Sequence, residues 1–522
     1  MKTFRPLMAL SLVLPSALSN AHNRPNIVFA FGDDYGRYAS IYAEIDKDDK
    51  ISGLIHTPNF DRVAREGVLM TNAYVPAPSS TPCRSSILSG QYFWRTGKGA
   101  ILQGAEWDEN IPTFPLLLED SGYHIGFTYK VWSPGVPADA PFGGGRTRYT
   151  RKGAKWNNYS INATNSDDVE MFRQELLKEV EGNFQDFLAA REDKEPFCYW
   201  WGPTNTHRQW KKGSGKELWG INPDDLRGIM PSFMPDTPEI REDMADYLGE
   251  CMAFDAGLGV LIQKLEEIGE LDNTIIVVSG DHGIPGFPRG KCNLYDLGIK
   301  VGLAIRYPQT IAPDRVIDDF VNLMDLAPTF LEYGEVPIPE VMTGKSIKNI
   351  IESTEEGHVD KSRDYVVAGR ERHVAGARHD RLPYPQRAIV TDRYKYIRNF
   401  EPTRWPIGTP KARLADLDNG PTKDWVLAHY NDEEYAWHME LAFGLRPYEE
   451  LYDLEKDPDE TENLAWDKRY QKIRKELSDK LERVLKETGD PRMQPGQCLF
   501  ETPLFLNLRA NYDSPYDRIS EY

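Results

Sequence analysis

Short, almost unbroken apolar runs alternate along the chain with longer stretches of helical periodicity. The runs are NIVFAF (26–31), YHIGFTY (123–129), FCYWW (197–201) and TIIVVS (274–279). Strands apolar on both faces belong to parallel sheets covered by helices on either side. Helical patterns separate the runs, notably DVEMFRQELLKEVEGNFQDFLAARE (168–192) and EIREDMADYLGECMAFDAGLGVLIQKLEEIG (239–269). The pattern therefore predicts an α/β fold with a mostly parallel sheet sandwiched by helices. Further on, DYVVAGR (364–370) and RAIVTDRYKYIRNF (387–400) read as an antiparallel sheet, packed by a helix at 468–487. This is a smaller α+β subdomain.

Each apolar run ends on polar residues of complementary chemistry. The first stops at Gly32-Asp33-Asp34, the second at Lys130, the third in a loop carrying His207, and the fourth at Gly280-Asp281-His282-Gly283. In open α/β sheets the ligand site lies beyond the carboxyl ends of the strands. Parallel strands would thus gather Asp33, Asp34, Lys130, His207, Asp281 and His282 at one edge. Adjacent acids buried without a cation repel one another, so this set predicts a metal ion. Oxygen-rich ligands favour Ca²⁺ or Mg²⁺, and the imidazole leaves Mn²⁺ or Zn²⁺ open. Either motif alone would pass as an ordinary turn after a strand. The acid-rich EKDPDETEN (455–463) reads as a solvated loop rather than a second calcium site.

At 522 residues the chain suits one large α/β domain and a smaller companion. Its net charge of −19 argues against nucleic acid and against broad attraction to polyanions. An anionic substrate would need a local cluster of cations. No apolar run beyond the first twenty residues approaches a membrane span. At the start, Lys2 and Arg5 precede an apolar run from Leu7 to Leu18, followed by Ser19-Asn20-Ala21. That is the pattern of a cleaved export signal over 1–21, predicting a periplasmic or secreted protein. The five cysteines (83, 198, 251, 292, 498) are odd in number and scattered, so free buried thiols are expected rather than a disulfide framework. The expected layout is a catalytic domain over 22–360, a polar linker within 351–364, the subdomain over 361–495 and a tail over 496–522.

The stretch PSSTPCRSSILSGQY (78–92) offers two candidate nucleophiles at the start of a helix. It resembles the signature of the type I sulfatases, the formylglycine-dependent branch of the alkaline phosphatase superfamily: Cys or Ser, any residue, Pro, any residue, Arg, then a helix. Aligned on Pro82 and Arg84, the nucleophile position falls on Ser80, and Cys83 takes a variable place. RPNIVFAFGDDYG and DNTIIVVSGDHG look like the family's two metal motifs, and GKCNLYDLGIKVGLAIRYP (290–308) like its Gly-Lys segment. RAIVTDRYKYIRNF and ELYDLEKDPDETENLA (450–465) resemble its C-terminal subdomain. With GRERH (369–373), the chain looks closest to bacterial relatives of heparan N-sulfatase, which include enzymes acting on marine polysaccharides.

The resemblance implies Ca²⁺ held by Asp33, Asp34, residue 80, Asp281 and His282. Ser80 would be oxidised to formylglycine (3-oxoalanine), whose hydrate attacks sulfur with one hydroxyl and expels sulfate through the other. Arg84, Lys130 and Lys291 would offset the anion, and His207 would protonate the departing alcohol. A serine at position 80 implies a radical-SAM maturase as partner. One departure from the family is Trp132, where a histidine is usual; His373 is the candidate stand-in.

Aromatic and basic residues cluster in HRQWKKG (207–213), GRERH and FEPTRWPIG (400–408). Arg208, Trp210, Arg370, Arg372 and His373 are therefore candidate contacts to a sulfated oligosaccharide or polysaccharide, of algal or glycosaminoglycan type. Two rivals stand beside this reading. One is a phosphatase or phosphodiesterase using Ser80 directly, disfavoured because Asp255-Ala256-Gly257-Leu258-Gly259 has glycine where a second metal would need histidine. The other is a catalytically degenerate sugar-binding protein, for which Trp132 is the best support.

Overall fold

The computed structural model describes residues 24–165, 168–192 and 195–506; the export-signal reading over 1–21 lies outside the described residues. The strands in chain order are β1 (Asn26–Gly32), β2 (Val68–Met70), β3 (Ala73–Tyr74), β4 (His124–Tyr129), β5 (Phe197–Gly202), β6 (Thr274–Gly280) and β7 (Leu303–Arg306). They continue with β8 (Arg315–Ile317), β9 (Val321–Asn322), β10 (Tyr365–Arg370), β11 (Gln386–Thr391), β12 (Tyr394–Asn399) and β13 (Glu449–Asp453).

Seven strands form the main sheet in the order β4-β5-β1-β6-β7-β2-β8, and β3 pairs with β9 beside it. The four apolar runs are the neighbours β4, β5, β1 and β6, all parallel. The sheet departs from the parallel pattern at β7, which runs antiparallel to both β6 and β2. Every residue of β1, β5 and β6 is buried, as continuous apolarity requires. Successive side chains point to opposite faces. Val28, Ala30 and Trp201 pack with residues of the helices Val169–Ala189 and Pro238–Glu267. Ile27, Phe29, Phe31 and Trp200 pack on the other face with residues of the helices Ser80–Ser89 and Leu326–Tyr333.

The chain then runs irregularly over 352–364 into a second, antiparallel sheet in the order β10-β11-β12-β13. One face (Val367, Ile389, Tyr396, Leu451) packs with Leu477, Leu481, Val484 and Leu485 of the helix Gln471–Glu487. Phe500 and Phe505 from the end of the described chain join that cluster. The opposite face (Val366, Ala368, Ala388, Val390, Ile397) belongs to the same apolar cluster as Phe29 and Phe31 of the main sheet. All five cysteines are free, and four are buried.

Candidate active site

The helix Ser80–Ser89 is buried at every position, with Cys83, Ile87 and Leu88 in the apolar cluster beneath the main sheet. It starts from Ser79 in extended conformation and stops at Gly90, whose φ of 64° gives the left-handed turn that glycine adopts without strain. Ser80 Oγ lies 3.1 Å from Asp33 Oδ1 and 3.2 Å from His282 Nε2. Cys83, three residues on, sits in the apolar cluster with Ile87 and Leu88. Burial, with Asp281 adding to it, pushes its thiol well above the ordinary range. Of the two candidates, Ser80 is the one aimed at the acids.

Arg84 lies one turn beyond Ser80, on the same side of the helix. Its side chain is fully buried. Nε donates to Asp281 Oδ2 at 2.9 Å and Nη2 to Asp33 Oδ1 at 3.1 Å, while Nη1 donates to the carbonyls of Lys130 and Val131. The guanidinium thus clamps acids from two different strands and adds positive charge from behind them, without presenting itself as an open donor.

The acids meet because β1 and β6 run in register, with Gly32 opposite Gly280. A Cβ at Gly280 would run into the carbonyl oxygen of Tyr35, so the approach of the two turns requires glycine there. Asp34 has φ 62°, and this turn points its backbone N–H to Asp281 Oδ1 at 2.7 Å. Lys130 Nζ donates to Asp33 Oδ1 at 2.6 Å, and Lys291 Nζ to Asp34 Oδ2 at 2.9 Å. His282 Nε2 stands 3.2 Å from Asp34 Oδ1 and 3.5 Å from Asp281 Oδ1. His207 Nε2 reaches to 3.9 Å from Asp34 Oδ2, and its side chain is 34% exposed.

Charge is unevenly balanced here. Burial would raise Asp33, but Lys130 and Arg84 hold it well below the usual carboxylate range. Burial pushes Asp34 up to about 7 despite Lys291, and lowers the His282 imidazole to about 4. Asp34 Oδ1 is buried and has no hydrogen-bond partner. Ligand atoms of Asp34, Asp281 and His282 lie within 4.8 Å of one another, as do those of Asp33, Asp34 and His207. An orphaned acceptor among three carboxylates and an imidazole fits an oxygen-preferring divalent cation.

The other predicted contacts are arranged differently. Arg208 forms a two-pronged pair with Asp243, both contacts 2.7 Å, and lies 4.0 Å over the Trp210 ring. Trp210 donates its indole N–H to the His207 carbonyl. Arg370 is tied to Asp416 and the Cys292 carbonyl, and Arg372 donates to the Gln103 carbonyl; both are buried. In the structure Arg208, Arg370 and Arg372, the sequence-predicted substrate contacts, each hold bonds within the protein. Acids already in place, Asp243 and Asp416, neutralise two of them.

Trp132 is fully buried, donates to Ser85 Oγ and packs edge-on against Trp107, so it belongs to the core. His373 shares a 2.8 Å hydrogen bond with Ser79 Oγ, one residue before Ser80. Burial lowers its imidazole to about 3, which keeps it neutral. Asp416 and Asp418 escaped the sequence reading. Asp418 Oδ2 lies 3.4 Å from Lys291 Nζ, but in the sequence LADLDNG (414–420) is indistinguishable from a polar turn.

A mostly parallel sheet whose strand tips join acids, lysines and a helix-borne serine fits one class, the alkaline phosphatase superfamily. Within it the chain belongs to the Sulfatase family, whose profile matches residues 25–336. The profile described as N-sulphoglucosamine sulphohydrolase, C-terminal, matches residues 281–436. The chain is 27% identical over 503 residues to an ulvan-active sulfatase of Formosa agariphila, covering 90% of this chain and 76% of that one. It is also 27% identical over 517 residues to human N-sulphoglucosamine sulphohydrolase, covering 92% and 93%. Among solved structures, one in complex with its substrate D-glucosamine-2-N,6-O-disulfate superposes with a TM-score of 0.61 at 21% identity, covering 91% and 100%. A phosphonate monoester hydrolase of Agrobacterium radiobacter superposes with a TM-score of 0.62 at 18% identity, covering 89% and 96%. These two share the fold.

Proposed function

We propose that the protein hydrolyses sulfate esters of a sulfated carbohydrate, with residue 80 acting after oxidation of its serine to formylglycine by a radical-SAM maturase. The observation that carries this is the placing of Ser80 Oγ at hydrogen-bond distance from both Asp33 and His282, within the basic frame of Lys130 and Lys291. The names of its relatives support a sulfated sugar as substrate: ulvan for one, a sulfated glucosamine for the other.

Asp33, Asp34, Asp281 and His282 would hold Ca²⁺, which supplies charge stabilisation for a sulfate group and for the attacking oxygen. The rest of the work belongs to the chain. Lys130 and Lys291 draw the anion toward the strand tips against the background of −19. Backbone N–H groups in the first turn of the ten-residue helix Ser80–Ser89 add positive potential where the nucleophile sits. Ser79 and His373, bonded to each other, fix the entry to that turn.

His207 is placed to pass a proton to the leaving oxygen. Its Nδ1 lies 2.7 Å from the Arg208 carbonyl, which only accepts, so the proton on that side stays on Nδ1. Nε2, facing Asp34, is then the nitrogen that exchanges protons at the site.

The phosphate-ester rival loses support at Asp255. Its carboxylate takes backbone hydrogen bonds from Asn59 and Phe60 and serves the packing of a neighbouring helix. The deciding experiment is mass spectrometry of the peptide containing residue 80, from protein co-produced with a radical-SAM maturase, followed by assays on sulfated sugars and matched phosphate esters. Loss of a hydrogen pair at Ser80 together with sulfate release is expected. An intact serine with turnover of phosphate esters overturns the proposal.

A further inference from the structure

Beside the anion site, the loop after Leu414 holds one carboxylate with an unusual set of partners. Its neighbours are firmly anchored. Asp416 pairs with Arg370 and Arg378 and accepts the Val374 N–H. The Leu417 carbonyl accepts from Lys423 at 2.6 Å, and Thr422 bonds Asp243. Asp418, between these anchors, makes an ion pair with Lys291 through its buried Oδ2 at 3.4 Å. The side chain is nevertheless 21% exposed. Burial opposes its ionisation, but Lys291, His207 and His373 hold the carboxyl well below the usual range.

A fixed carboxylate next to an anion site works against binding a bare anion, since like charges at close range repel in a partly dry pocket. The single ion pair with Lys291 also uses only part of the acceptor capacity of a carboxylate. A ligand that brings its own donor offsets that repulsion with a hydrogen bond to the charged group. Lys291 bridges Asp34 of the anion centre and Asp418, which places the acceptor one side chain away from the sulfate position.

We propose that Asp418 forms a subsite for a hydrogen-bond donor, a hydroxyl or ammonium group, carried by the same sugar ring as the sulfate. This rests on the sulfatase reading and narrows it: the substrate is a sulfate flanked by an unsubstituted donor group, and a ring fully substituted there is refused.

The test compares matured wild type, Asp418→Asn and Asp418→Ala on 4-nitrophenyl sulfate, which has no such donor, and on a panel of glucosamine and galactose monosulfates. For the best sugar, the ratio of kcat/KM on sugar to kcat/KM on 4-nitrophenyl sulfate is expected to fall about 10- to 100-fold in both variants, the size of one hydrogen bond to a charged group. The loss should appear mainly in KM. A ratio that stays constant while both activities fall would show that Asp418 acts only through Lys291, and would overturn the subsite. Wild type inactive on every sulfate, though formylglycine is confirmed at residue 80, would instead remove the sulfatase reading and the subsite with it. Melting temperatures of the variants separate lost recognition from lost folding.

Discussion

Two side chains three residues apart on one helix have opposite fates, and their spacing decides which. Ser80 faces Asp33 and His282, while Cys83 turns into the core beside Ile87. Ser80→Ala should reduce turnover on the order of 10⁴-fold or more, as removal of a nucleophile does, with the melting temperature little changed. Cys83→Ala should keep its activity and cost about 1 kcal/mol of stability, the value of a small buried group; urea unfolding and sulfate release assays read the pair together. This much was legible beforehand through the resemblance to the sulfatase signature, whose alignment on Pro82 and Arg84 singles out Ser80 rather than Cys83. Asp418 was not. A carboxylate in a turn carries no periodicity, and only its contact with Lys291, 127 positions earlier in the chain by number, gives it meaning. For a related reason the sequence of GRERH shows the charge of Arg370 but not Asp416, the buried acid that pairs with it.

The parallel strands were readable as elements because burial on both faces forces unbroken apolarity, and the polar residues following each one marked the functional edge. Less readable was β13, whose Glu449, Glu450 and Asp453 are buried in pairs with groups far along the chain, including Arg474 and Arg393. The antiparallel turn of β7 likewise leaves no local trace. The long helix Pro238–Glu267 carries a property of its own. Burial pushes Asp246, Glu250 and Asp255 each up to about 7. A carboxyl with a raised folded pKa binds a proton that the unfolded chain has already released. Its stabilising share is therefore complete below the unfolded value near 4 and is lost as pH climbs toward 7. Thermal unfolding at constant excess Ca²⁺ should show stability declining across that window. Glu250→Gln should make the decline shallower; an unchanged slope would mean that Glu250 stays ionised in the folded protein.

For the whole molecule, three buried carboxylates meet at the strand tips of a protein that is already strongly anionic. Binding a cation to the folded state alone stabilises it by mass action, about 2.7 kcal/mol when the free ion exceeds its Kd a hundredfold. Removing divalent ions with EDTA should lower both the urea midpoint and the activity, and Ca²⁺ should restore both. Restoration by Zn²⁺ in preference to Ca²⁺ and Mg²⁺ would contradict the oxygen-rich ligand assignment. The architecture that brings the acids together was visible in outline from the pattern of runs and tips. The way the second sheet shares its apolar face with the first was not, since alternating patterns show that a face is covered without showing by what.

Ser80 is only 2% exposed, in the first turn of a helix that is buried at every position. A second enzyme cannot close its own catalytic pocket around a side chain so deeply enclosed. If residue 80 is oxidised, that event must come early, on a strand of polypeptide not yet wound into place, and the finished architecture then seals in whichever chemistry the nascent chain received. Active and inert copies of the protein would share one shape, and their history, not their conformation, would tell them apart.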